Sequence, residues 1–183
     1  MELIPKPPFY NRPMVVHGGH SVESYIFPTC APWNPKKDDD FLTSPREKLS
    51  LEDVHRFILQ KWHLMVFYTI DLRRQRQQKE ENKNKLTKTL LFPLKGGPNI
   101  VIEPEKIENI CNEIHRLLPT TIVIHCTHGL NRTLLLLAAL FLKDNPEKTI
   151  DQALFHVKKI RPPGILRKNV IDSLSLWKQT FLK

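Results

Sequence analysis

The clearest periodicity lies in the second half of the chain. Ile107, Ile110, Cys111, Ile114 and Leu117 or Leu118 recur at helical spacing across residues 104–118. Acidic residues come early in that stretch and Arg116 late, as a helix dipole favours. Residues 134–142, LLLLAALFL, are apolar on every side, which predicts a central, buried helix. Two further helical segments, 149–160 and 168–182, lie on either side of Arg161-Pro-Pro-Gly164. Earlier, Ser50-Leu-Glu-Asp53 has capping-box spacing and predicts a helix that buries Val54, Phe57, Ile58 and Trp62.

Three β-branched or aromatic runs read as strands. They are residues 64–72 (LMVFYTIDL), with the strand ending at Asp71, then residues 89–94, then residues 121–124 (TIVI), buried on both faces. A short strand at 25–27 is expected to stop at Pro28. Otherwise the first 50 residues carry prolines at 5, 7, 8, 13, 28, 32, 35 and 45 and turn clusters such as Gly18-Gly19, which predict irregular chain. Residues 73–88 are almost wholly polar and read as an exposed helix or a mobile loop. Strands alternating with helices indicate an α/β fold, a mostly parallel central sheet flanked by helices. The expected organisation is an irregular segment, 1–21, before one domain, 22–183, with no internal repeat.

Composition narrows the classes. The 28 Lys and Arg against 19 Asp and Glu leave a formal net charge of +9. Such an excess suits a polyanionic partner such as RNA, DNA or a phosphorylated surface, though a merely soluble basic protein carries it equally well. Three cysteines, Cys30, Cys111 and Cys126, do not read as a disulfide framework and point to a reducing compartment. The start, Met-Glu-Leu-Ile-Pro, lacks the basic and apolar regions of a secretory signal. The run at 134–142 is too short to span a bilayer, so no membrane role is expected.

Candidate chemistry concentrates between the last strand and the apolar helix, in His125-Cys126-Thr127-His128-Gly129-Leu130-Asn131-Arg132-Thr133. A thiolate at a helix N-terminus beside a guanidinium is an activated nucleophile, since both favour the anion. The five residues between Cys126 and Arg132 can wrap backbone N–H groups around one phosphate, and Gly129 permits the turn. Arg132 can grip two phosphoryl oxygens with its planar fork. Thr133 can donate its hydroxyl to the sulfur and ease its departure. His125 and Asn131 are placed to hold the loop's shape. A buried structural cysteine near a loop arginine is the bland alternative.

The stretch HCTHGLNRT resembles the signature loop of the cysteine-dependent phosphatases, and more narrowly the RNA 5′-triphosphatase branch, which includes the triphosphatase domain of metazoan mRNA capping enzymes and baculovirus RNA phosphatases. His128 and Asn131 within the loop mark that branch. The strand with Asp71, the Lys95-Gly96-Gly97 loop and Arg161-Pro-Pro-Gly-Ile165 resemble further pieces of it. The resemblance implies a dual-specificity phosphatase-like fold, Cys126 as nucleophile, Arg132 as phosphate clamp and Thr133 as thiolate stabiliser. It implies a phosphate-binding loop of His125, Thr127, His128, Gly129, Leu130 and Asn131. Two positions depart from the pattern: Leu134 stands where the family has Gly, and Arg73-Arg74 where it has Thr or Asn. The Lys-x-Asp-Gly motif of guanylyltransferases is missing from the sequence, so capping would need a separate guanylyltransferase.

The acid inventory favours RNA over phosphoprotein. A phosphotyrosine phosphatase uses an acid, usually Asp on a mobile loop, to protonate its leaving group. Between Asp71 and Asp144 there is no Asp, and Glu103 and Glu105 read as helix-start residues. A phosphoanhydride needs no such acid, because its leaving group is itself a phosphate. The expectation is therefore hydrolysis of 5′-triphosphate RNA through a phosphocysteine, with no metal or other cofactor. His17-Gly-Gly-His20 is a weak metal motif. RNA contacts are expected from Arg73, Arg74, Arg76, Lys95, Arg161, Arg167 and Lys168, with Asp71 orienting an Arg or a loop amide. A monomer is expected, in the nucleus, or in the cytoplasm if viral, with RNA polymerase as a further partner. Two rivals stand: a dual-specificity protein or lipid phosphatase, and a weakened binding module for RNA ends, for which Leu134 is the sequence support.

Overall fold

The computed structural model describes residues 13–16, 23–30, 51–73, 87–127, 129–161 and 167–182. Strands β1 (Met14–Val16), β2 (Ser24–Cys30), β3 (Tyr68–Asp71), β4 (Lys88–Leu91) and β5 (Thr121–Cys126) form one sheet in the order β1-β2-β5-β3-β4. Pairings from β2 through β5 and β3 to β4 are parallel, and β1 joins antiparallel. Helix α1 (Leu51–Trp62) covers one face, where Val54, Phe57 and Ile58 meet Phe27 and Val123, with Trp62 half-buried beside them. Helices α2 (Pro104–Leu117), α3 (Asn131–Asp144), α4 (Ile150–Ile160) and α5 (Lys168–Phe181) build the larger core on the other face.

Helix α3 runs through the middle of that core. Residues Thr133 to Leu140 and Leu142 are all buried, and each leucine so placed contributes about 1.5–3 kcal/mol. Leu134 is fully buried in the same core. Glu108 of α2 ties three helices: it pairs with Lys143 of α3 and accepts a hydrogen bond from Trp177 Nε1 of α5 at 3.0 Å. Helix α4 starts at a full capping box, with Gln152 N–H donating to Thr149 Oγ1 at 3.2 Å and Thr149 N–H to Gln152 Oε1 at 2.9 Å.

Several elements differ from the sequence expectation. Met14–Val16, in the stretch expected to be irregular, forms an edge strand against Ser24–Ile26. Strand β2 continues through Pro28. Tyr25 N–H donates across to Thr120 O, so by alternation Pro28 turns its missing N–H to the other side, where β1 has already ended. Strand β3 is shorter than expected, because its neighbours β5 and β4 begin only at Thr121 and Lys88. Met65 and Phe67 are consequently exposed. Strand β5 runs two residues further, carrying Cys126 to the sheet's end. Ser50, the polar run 74–86 and the pair His17 and His20 lie outside the described residues.

Candidate active site

The end of β5, the loop 127–130 and the first turn of α3 put the predicted chemistry at the carboxyl edge of the sheet, where α/β folds bind ligands. Cys126 is the last residue of β5 and lines a cavity of about 380 Å³. Gly129 has φ of +62°, a left-handed conformation that favours glycine. Leu130 precedes α3 and supplies no side-chain cap, so the helix presents its first N–H groups towards the loop. His128 lies outside the described residues.

Arg132 is fixed by three hydrogen bonds. Its Nη1 donates to Leu72 O at 3.0 Å and Leu94 O at 3.1 Å, and its Nη2 to Thr127 Oγ1 at 3.0 Å. Among the described residues, Nε and the second Nη2 hydrogen are left to meet an anion as a fork. Gly96 lies against this guanidinium: a Cβ added there would stand 3.3 Å from Arg132 Cζ. The loop of Lys95, Gly96 and Gly97 therefore rests directly on the clamp. Asn131 Oδ1 accepts the backbone N–H of Arg167 at 3.1 Å, which draws the start of α5 to the loop. The Thr133 hydroxyl is buried with no hydrogen-bond partner among the described residues, so the expected donation to Cys126 is not made.

Behind β5, on the α1 side, lies a polar layer. Asp71 pairs with His125 in the sheet register, with Oδ1 3.7 Å from Nδ1. Its carboxylate accepts Arg73 Nε at 3.0 and 3.1 Å and Arg73 Nη2 at 2.8 Å. Burial pushes the Asp71 carboxyl up, but the bonds and charge of Arg73, with His125, outweigh it and hold the group below its ordinary value. Burial pushes His125 down to about 4, so its imidazole is neutral at physiological pH. His55 of α1 approaches Thr69 Oγ1 at 3.2 Å and is likewise pushed down to about 4 by burial.

The basic residues separate into two groups. Arg73 is 5% exposed and holds Asp71, and Arg161 is fully buried at the end of α4. Neither is on the surface to contact RNA as expected: each guanidinium is enclosed by the fold. Asp71 does orient an arginine and a backbone N–H, those of Arg73. Lys95 and Arg167 line the cavity with Cys126, Thr127, Asn131 and Arg132. Arg74, Arg76 and residues 162–166 lie outside the described residues. Among the described residues, no group of three His, Cys, Asp or Glu is placed to hold a metal.

Sequence reasoning missed Asn169 and Ser173 on α5. Asn169 Nδ2 donates to Gly97 O at 3.2 Å and Ile100 O at 2.6 Å, and Ile102 N–H donates to Ser173 Oγ at 2.9 Å. They fasten residues 97–102, one wall of the cavity, to α5. Nothing but an Asn near a helix start hinted at this.

No protein-family model and no curated protein sequence matches the chain. Solved structures do. A kinase associated phosphatase, crystallised with its catalytic-site cysteine changed to serine, aligns at a TM-score of 0.63 and 13% identity, over 93% of this chain and 96% of that one. A mouse protein assigned as a dual specificity phosphatase, complexed with zinc tungstate, aligns at 0.62 and 14% identity, over 98% and 92%. PTPMT1 aligns at 0.60 and 12% identity, over 85% and 90%. The fold is that of the dual-specificity type of cysteine phosphatase, as the loop resemblance implied.

Proposed function

We propose that this chain is a cysteine-dependent RNA 5′-triphosphatase. Cys126 Sγ attacks the γ-phosphorus, the bond from that phosphorus to the bridging β–γ oxygen breaks, and RNA with a 5′-diphosphate leaves. Water then attacks the phosphocysteine, releasing orthophosphate and returning the thiolate, with the proton passing to solvent. Arg132 and the loop's N–H groups stabilise charge on the transferring phosphoryl group.

One observation carries the reading. The cavity is lined by Lys95, Arg132 and Arg167 and, among the described residues, by no carboxylic acid. Asp71, which lies beside His125 in the sheet, is held ionised by Arg73 and cannot protonate a leaving group. A site with cations and no acid suits an anhydride, whose leaving phosphate needs charge neutralisation rather than a proton. On this reading 5′-triphosphate RNA is the partner, a separate guanylyltransferase would act on the product, and the location would be the nucleus, or the cytoplasm for a viral protein. A second reading, a lipid phosphatase, draws support from likeness to PTPMT1 in complex with PI(5)P, at a TM-score of 0.57 and 13% identity.

RNA labelled at its 5′ γ-phosphate, incubated in EDTA with wild type and with Cys126→Ser, separates the readings. Phosphate release by wild type alone supports the triphosphatase. Turnover of an aryl phosphate or a phosphoinositide without release from RNA would transfer the assignment to the second reading.

A further inference from the structure

We infer that Lys95 and Arg167 form a second anion site beside the phosphoryl loop, shaped for the phosphate adjacent to the scissile one, so that the cavity selects a polyphosphate end over a phosphomonoester. For its biological substrate the inference rests on the triphosphatase reading; for its position it rests on the cavity.

The two residues come from different parts of the chain, the loop after β4 and the residue before α5, and line one cavity. Lys95 directly follows Leu94, whose carbonyl accepts Arg132 Nη1 at 3.1 Å. Arg167 is tied through its own N–H to Asn131 Oδ1 at 3.1 Å, one residue before Arg132. Each cation is thus placed within one peptide of a group bonded to the clamp turn, and both line the same cavity as Cys126. Neither forms an ion pair within 4 Å among the described residues, whereas Arg73 is paired with Asp71; Glu103, itself paired with Lys106, feels the charge of Lys95 from further off. Two cationic residues on a cavity whose described lining holds no acid raise the local affinity for anions above that of the average surface.

A monoester does not need them. Its transferred phosphoryl group is met by the Arg132 fork and the N–H groups of the loop and α3. The leaving side of the cavity then holds two further positive charges. In a triphosphate that side is occupied by the β-phosphate, which gains charge on the departing oxygen as the bond to the γ-phosphorus breaks. Lys95 and Arg167 supply there the stabilisation that a proton from an acid would supply for an alcohol or phenol.

The test compares Lys95→Ala, Arg167→Ala and Arg167→Lys with wild type on 5′-triphosphate RNA and on p-nitrophenyl phosphate. It adds inorganic tripolyphosphate and orthophosphate as competitors of the aryl reaction. The expected result is a loss in kcat/KM about tenfold or more larger on RNA than on the aryl ester for each Ala variant, partly restored by Arg167→Lys. Tripolyphosphate should compete at least about tenfold better than orthophosphate in wild type, and that margin should collapse in Arg167→Ala. Equal losses on both substrates, with no margin between the competitors, would overturn the second site even if RNA is hydrolysed. If wild type leaves RNA intact but tripolyphosphate still outcompetes orthophosphate in an Arg167-dependent way, the RNA reading fails and the second site stands.

Discussion

Asp71 and Arg73 form a buried ion pair that frames the seat of Arg132. Arg73 uses both its guanidinium and its backbone N–H on the one carboxylate, the latter at 2.9 Å. Leu72 between them gives its carbonyl to Arg132 Nη1 and its N–H to His125 O, each at 3.0 Å. Removing one partner takes the bidentate ion-pair contact away from a charge held in the interior. Arg73→Ala and Asp71→Ala should each destabilise the fold by about 3–5 kcal/mol in urea denaturation. A loss under about 1 kcal/mol would show that the pair is dispensable.

Stability should fall as the medium is acidified, and His125 sets the window. Its folded pKa, about 4, lies below the ordinary 6.5, so the unfolded chain takes up the proton first. The contribution is complete above 6.5 and is lost as pH drops towards 4, by about 3 kcal/mol. His55, partly accessible, adds a smaller loss over the same range. Asp71 is depressed, so its contribution persists until pH falls through a value below the ordinary carboxylate range. Urea midpoints at pH 7, 6 and 5 should decline steadily, and a flat profile would contradict a neutral, buried His125.

Gly96→Ala should impair catalysis more than folding. The new Cβ would stand 3.3 Å from Arg132 Cζ and 3.4 Å from Nε, on the groups that form the fork. If Arg132 is the phosphate clamp of the proposed function, displacing its guanidinium by a few tenths of an ångström should lower kcat/KM by about tenfold, with the urea midpoint little changed. Unchanged kinetics would mean that the loop yields without moving the clamp.

The thiols should react unequally. Cys111 is fully buried in α2, and burial pushes its thiol well up. Cys126, though only 3% exposed, lines the cavity at the end of β5. Peptide mapping after brief iodoacetamide treatment at neutral pH should find Cys126 alkylated and Cys111 intact, and orthophosphate should slow the reaction at Cys126. Equal labelling would place the reactive cavity elsewhere.

The parts of the fold that could be read in advance are those whose pattern is local. Helix α2 shows its buried stripe at Ile107, Ile110, Cys111 and Ile114, and α3 its all-round apolarity, before any contact is known. The strand–loop–helix around Cys126 was equally legible, because a β-branched run, a glycine turn and an apolar run follow one another directly there. What escaped depended on partners distant in sequence. The three residues of β1 are a strand only because Ser24–Ile26 lies alongside. Pro28 is tolerated because of which side its nitrogen faces. Arg73 read as a surface base. The clue to its burial was the Asp two positions earlier, but a neighbouring acid does not reveal whether a pair is solvated or enclosed.

The fastening of residues 97–102 to α5 bears on the thermodynamics and timing of ligand capture. Where a mobile segment folds over a substrate, each turnover includes the conformational entropy of ordering it and the delay of reopening. Here Asn169 and Ser173 already hold that wall through three hydrogen bonds. Along this wall capture orders side chains rather than backbone, so the wall's share of the heat-capacity change should reflect its apolar lining of Ile100, Ile102 and Val170. On that side of the cavity a ligand can enter and withdraw without waiting for the wall to be ordered, at a rate set by diffusion and by the field of the cations around it.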